Sequence, residues 1–169
     1  MILFLSSKQG VTMSRKFALM CRTEETPAAK TPFIAIVDDD KLVRESLRRL
    51  MSSVSLRSEV FASAEDFLHS SHVRDTTCLI LDVRMPRMDG PELQKQLAET
   101  QSRIPIIFIT AYGDEKMQAQ ALQAGAVAVL SKPFSDETLL KSIDEALKLF
   151  RSNRTETDQE RRVTNFVRY

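Results

Sequence analysis

From Phe33 onward the chain alternates short apolar runs with segments whose apolar residues recur every three or four positions. That alternation predicts parallel strands joined by crossover helices. FIAIV (33–37) reads as the first strand. The segment after it sets Leu42, Val43, Leu47, Leu50, Met51 and Val54 on one side, with Arg44, Glu45, Arg48 and Arg49 on the other, the pattern of an amphipathic helix. A weaker strand over 57–61 and a short helix over 64–70 lead to CLILD (78–82), a continuous run of the kind that sheets bury on both faces. The turn VRMPRMDG follows, and Pro91 suits the first turn of a third helix carrying Leu93 and Leu97. Pro105 opens the strand IPIIFIT, Asp114 can cap a fourth helix that stops at Gly125, and AVAVL (126–130) is the fifth strand. Ser135 can cap a last helix with Leu139, Ile143, Leu147 and Phe150 inward. Five strands and five helices over 33–150 predict an α/β fold, a doubly wound five-stranded parallel sheet.

Length sets the domain count. A chain of 169 residues holds one domain with a real core and is too short for two ordinary ones. Residues 32–150 are that domain. Residues 1–31 show no sustained period and end in TEETPAAKTP, the signature of a disordered leader, with Met13 and Met20 as further possible starts of translation. Residues 151–169, RSNRTETDQERRVTNFVRY, are polar with late apolar positions at Val163, Phe166 and Val167, and read as a linker helix or tail cut off before whatever follows.

The formal net charge of +1 argues neither for nucleic acid nor for a membrane surface. Its distribution is more informative. Residues 31–150 carry 14 Lys and Arg against 18 Asp and Glu, while both ends are mildly basic, so the domain itself is acidic, as a cation site requires. The two cysteines, Cys21 and Cys78, have no metal or redox spacing and suit a reducing compartment. MILFL is too short for a signal-peptide core, and no span approaches the roughly 20 apolar residues that cross a bilayer. A cytoplasmic, non-membrane protein is expected.

The candidate chemistry lies at strand ends. Asp38 and Asp39 follow FIAIV, Asp82 closes CLILD, Thr110 closes IPIIFIT, and Lys132 follows AVAVLS. In an open parallel sheet wound on both faces, ligands bind outside the carboxyl ends of the strands, so these side chains share one edge. Close carboxylates are costly to ionise together and usually signal a divalent cation or a raised pKa. Oxygen-only ligands favour Mg2+, which takes one or two carboxylates, keeps several waters and accepts phosphate oxygens. A carboxylate can act as nucleophile toward phosphorus, with the Lys132 ammonium and the Thr110 hydroxyl meeting the charge on the transferring group. The histidines His69 and His72 lie three apart, but with no third ligand nearby they read as a solvated helix end.

The motifs IVDDD, LDVRMPRMDG, FITAYGD and AGAVAVLSKPF, in that order, resemble the receiver domain of two-component response regulators, most of all the subgroup that precedes a LuxR-type helix-turn-helix output domain. The resemblance covers 33–150. It implies a flavodoxin-like (βα)5 fold with strand order 2-1-3-4-5, and phosphoryl transfer from a sensor histidine kinase to Asp82. By the same resemblance Asp39 binds Mg2+ directly, Asp38 assists, the Asp82 carboxylate and the backbone carbonyl of Arg84 complete the metal set, Thr110 and Lys132 contact the phosphoryl group, and Lys132-Pro133 is a cis peptide. Arg84 and Tyr112, two residues beyond Asp82 and Thr110, would flank the phosphoryl group and tune its lifetime. Val129 stands three residues before Lys132, where receivers commonly carry Tyr or Phe that rotates on phosphorylation; movement of Thr110 can still reshape the face made by the fourth helix, fifth strand and fifth helix. That face is the candidate homodimer surface. No direct DNA binding is expected from this chain, because the output domain is missing, and such a module is its own phosphorylation product and loses the phosphoryl group by autodephosphorylation, so it is not a conventional enzyme.

Two other readings stay open on the residues alone. Asp38-Asp39-Asp40 resembles the D-x-D of haloacid-dehalogenase-type magnesium phosphohydrolases with Asp38 as nucleophile, although Leu42 stands where that family prefers Thr or Val. A receiver-like module that binds without phosphorylation is the other.

Overall fold

The computed structural model describes residues 31–111 and 115–166, with backbone alone from residue 156. The leader, the Asp114 cap and Tyr112 therefore lie outside the described residues. From Pro32 onward the chain forms one unit. Its elements are β1 (Phe33–Val37), α1 (Lys41–Ser53), β2 (Arg57–Phe61), α2 (Ala64–His69), a 3-10 turn (Ser71–Arg74), β3 (Cys78–Asp82), α3 (Gly90–Glu99), β4 (Ile106–Thr110), α4 (Glu115–Gln123), β5 (Ala128–Ser131) and α5 (Asp136–Phe166). The five strands are parallel, in the order β2-β1-β3-β4-β5.

Period-2 alternation divides each central strand between two cores. Ala35, Val37, Leu79, Leu81, Ile106 and Phe108 face one side, with Phe67 of α2, Leu93 and Leu97 of α3 and Ala121 of α4. Ile34, Ile36, Cys78, Ile80, Ile107 and Ile109 face the other, with Leu47 and Met51 of α1 and Leu139, Ile143 and Ala146 of α5. Both faces of the sheet are covered, which is why its strands read as unbroken apolar runs.

Local chemistry starts the helices close to where the sequence predicts. Asp40 caps α1 by accepting from the Leu42 N–H, and Ser63 caps α2. Asp89 and Glu92 form a reciprocal capping box at α3, with Pro91 in its first turn. Ser135 accepts from the Thr138 N–H at 3.1 Å as α5 begins. Gly125, at φ 94°, closes α4 in the left-handed region that glycine enters without cost.

Four details differ from the sequence pattern. The fifth strand starts at Ala128, because Ala126 spends its N–H on the Ala121 carbonyl at 3.0 Å, closing α4. The last helix continues past residue 150 to Phe166: no Pro or Gly interrupts 136–166, and the Lys148–Asp144 pair and the Ser152 and Thr155 hydroxyl bonds to carbonyls four residues back lie along it. Leu42, placed by its period on the apolar side, is 73% exposed, since it sits in the opening turn of α1 beyond the sheet edge. His72, expected in solvent, instead stacks on Phe33 with ring centroids 5.0 Å apart, and the Arg57 guanidinium also lies over that ring. No helix among the described residues is long and apolar enough to cross a membrane.

Candidate functional site

Register builds the site. The last ladder pair of β1 and β3 is Val37 with Leu81, so one further residue brings Asp38 level with Asp82 on neighbouring strands. Thr110 pairs with Ser131, which carries Lys132 one residue past the end of β5. Asp38, Asp82, Thr110 and Lys132, four of the five residues that the sequence places at strand ends, thus share the carboxyl edge of the sheet.

Lys132 reaches across that edge. Its ammonium donates to Oδ2 of Asp38 at 3.0 Å and to Oδ1 of Asp82 at 3.1 Å. Lys132 is also held through its main chain, where its N–H donates to the Thr110 carbonyl at 2.7 Å, and the Lys132-Pro133 peptide is cis. Thr110 is buried. The second oxygen of Asp82 accepts the Arg84 N–H at 2.9 Å, while the Arg84 side chain points to solvent. Asp38 is 1% exposed; its Oδ1 accepts the Asp40 N–H at 2.8 Å. Asp39, between them in sequence, is exposed.

Burial raises the pKa of the Asp82 carboxyl, against the hydrogen bond and charge of Lys132, with the nearby Asp38 adding to the rise. Lys132 also loses solvent, which alone would lower its pKa, but its bonds to Asp38 and Asp82 outweigh that and leave it raised. The ammonium is therefore fully charged near neutrality and lies against two carboxylates. Three acids and one lysine leave a local excess of negative charge open to solvent at Asp39. Away from this edge, burial pushes the Cys78 thiol up to about 12, so it is a core residue and not a reactive one.

Two features here escaped the sequence pattern. Arg44, assigned by period to the solvent face of α1, turns toward the site and donates to the Asp38 carbonyl at 2.7 Å. Gly90 lets the turn after β3 fold back: a Cβ there would meet the Asp82 carbonyl oxygen at 2.6 Å and the Phe108 ring at 2.8 Å. The D-G-P run hinted at a tight turn; nothing in the sequence marked Arg44. Earlier in the same turn Arg87 adopts φ 70° and pairs with Glu65 of α2 at 3.3 Å. Val129 packs against the core on the side of α3 and α4.

Asp38 is the more enclosed of the two carboxylates that Lys132 joins, 1% exposed against 7% for Asp82, which favours Asp82 over Asp38 as the group an incoming phosphorus can reach. The fold and site together define a receiver-type domain. Residues 34–144 match the response regulator receiver domain family, and the chain belongs to that family. It is 49% identical over 116 residues to the response regulator protein TmoT of Ectopseudomonas mendocina, covering 69% of this chain and 53% of that protein. It is 41% identical over 128 residues to the transcriptional regulatory protein TdiR of Thauera aromatica, covering 76% and 56%. The solved structure of the response regulator StyR superposes with a TM-score of 0.74 at 41% identity, over 80% of this chain and 68% of that one. The chain spans about half the length of the curated relatives it matches.

Proposed function

We propose that this domain accepts a phosphoryl group on Asp82 from a phosphohistidine of a sensor histidine kinase, as the switch of a transcriptional regulator with a LuxR-type output domain. In that step a carboxylate oxygen of Asp82 forms a P–O bond as the P–N bond of the phosphohistidine breaks, and the imidazole nitrogen keeps the electron pair. The observation that carries the reading is the contact of 3.1 Å between the Lys132 ammonium and Asp82 at the carboxyl edge of the sheet. Two anions must meet, so the barrier is chiefly electrostatic, and a fixed ammonium beside the acceptor oxygen lowers it.

The donor set fits Mg2+: it is oxygen only and carries more negative charge than Lys132 neutralises. Asp39 would hold the ion directly, with Asp38, Asp82 and the Arg84 carbonyl completing the protein's share. Among the described residues no three His, Cys, Asp or Glu side chains converge as a ready-made ion cage. When bound, Mg2+ offsets charge on the phosphoryl oxygens. Lys132 and Thr110 contact the modified carboxylate, and the new charge biases a two-state equilibrium through them. Arg84 and Tyr112, two positions beyond Asp82 and Thr110 in sequence, would set how readily water attacks it and so the rate of autodephosphorylation.

Acetyl phosphate with MgCl2 tests this. The expected result is a mass increase of one phosphoryl group on the wild type and none on Asp82→Asn. Labelling that persists in Asp82→Asn, or a wild type that never labels and shows no response to Mg2+, overturns the reading and favours a module that binds without phosphorylation. A Tyr112→Ala variant with an unchanged dephosphorylation rate removes the role given to that side chain. A size-exclusion volume unchanged on phosphorylation removes homodimerisation through α4, β5 and α5.

A further inference from the structure

We infer that Arg44 is a positioning residue for the acidic turn: by holding the Asp38 carbonyl it fixes the peptide that aims Asp39, and so sets the affinity of the site for a divalent cation. This rests on the cation reading of the site given above.

Residue 38 is tied at every polar atom. Its N–H donates to the Phe61 carbonyl at 3.3 Å, its Oδ1 accepts from the Asp40 N–H, its Oδ2 accepts from Lys132, and its carbonyl accepts from Arg44 at 2.7 Å. The first three bonds hold the strand end and the side chain. The fourth holds the carbonyl end of the peptide between Asp38 and Asp39. That carbonyl lies past the last ladder pair of β1, where the sheet no longer fixes its orientation. Asp40, one residue further, is locked as the cap of α1. Asp39 therefore sits between two anchored residues, and the direction of its exposed carboxylate follows the tilt of the peptide that Arg44 grips. A guanidinium in the first turns of α1 is well suited to this, because α1 itself is packed on the sheet through Leu47 and Met51 and gives the grip a rigid base.

The charge on Arg44 opposes its geometric role. A positive group beside the acids repels a cation, so losing it through electrostatics alone would tighten cation binding. Losing a positioning bond would weaken it. The sign of the change separates the two.

The test is the rise in melting temperature with MgCl2 at constant ionic strength, comparing wild type, Arg44→Ala, Arg44→Lys and Asp39→Asn. The expected midpoint concentration of Mg2+ is about fivefold higher for Arg44→Ala than for wild type, with Arg44→Lys between them and Asp39→Asn without a saturable response. A midpoint for Arg44→Ala that is unchanged or lower overturns the positioning role while leaving the cation site standing. A wild type that does not respond to Mg2+ overturns both. If Arg44→Ala does not fold, Arg44→Lys decides: a midpoint equal to wild type refutes the inference.

Discussion

The ammonium of Lys132 donates to Asp38 at 3.0 Å although the two residues are 94 apart in sequence. Asp38 is almost wholly enclosed, so this bond and its companion to Asp82 supply the counter-charge that makes two buried carboxylates tolerable. Lys132→Ala leaves both acids without a cation and is expected to destabilise the domain by about 3 kcal/mol at pH 7. The Lys132 pKa is raised by folding, so its contribution is complete below about pH 10.4 and fades only as pH climbs through the raised value. Urea unfolding of both proteins at pH 7 and pH 4 checks this. The gap should narrow at the lower pH, where protonation removes charge from Asp82.

Asp82 pulls the other way. Its carboxyl pKa is raised, chiefly by burial, so folding favours the protonated form; that preference stabilises the fold at low pH and is lost as pH rises from about 4 through the folded value. Asp82→Asn keeps the shape and removes the charge. It should be more stable than wild type at pH 7 by on the order of 1 kcal/mol, with a flatter dependence of stability on pH above 4. A variant less stable than wild type at pH 7 would contradict this account.

Arg87 pairs a strained backbone with a useful side chain. At φ 70° a residue with a Cβ costs roughly 1 kcal/mol relative to glycine, and the bond to Glu65 offsets part of that. Glu65 has a second oxygen that is buried and unpartnered among the described residues, so the pair matters more than its exposed arginine suggests. Arg87→Ala keeps the strain and loses the bond, whereas Arg87→Gly loses both. Thermal unfolding should place Arg87→Gly about 1 kcal/mol above Arg87→Ala. Equal stabilities would mean the backbone at 87 carries no strain.

Gly90 has no room for a methyl group. With the Asp82 carbonyl 2.6 Å away and the Phe108 ring 2.8 Å away, Gly90→Ala must move the end of β3 or the core beneath it. The expected loss is about 2 kcal/mol of stability, accompanied, on the acceptor role proposed for Asp82, by slower acetyl phosphate labelling, because one of the atoms met is the Asp82 carbonyl oxygen. Chemical denaturation and acetyl phosphate labelling read the two effects separately.

The strands and the strand-end side chains were legible because both faces of the sheet are covered. Burial on both sides turns β1, β3 and β4 into uninterrupted apolar runs, and a polar residue that ends such a run stands out. Helix faces were less legible at their first turns. Period alone put Leu42 inward and Arg44 outward, yet the opening turn of α1 overhangs the sheet edge, where Leu42 has nothing to cover and Arg44 has a carbonyl to hold. Spacing cannot tell which polar side of a helix looks toward a site and which toward water. Nor could it reveal that Ala126 would give its N–H to α4 and shorten β5.

Asp38 and Asp82 extend from hydrogen-bonded neighbours, so the gauge of the pocket is the spacing between strands, about 4.8 Å. Replacing the strand-end side chains themselves leaves that gauge unchanged. Any retuning of such a site, by mutation or by design, has to come from the turns and helix ends that overhang it, which is where Arg44, Arg84, Arg87 and Gly90 all lie.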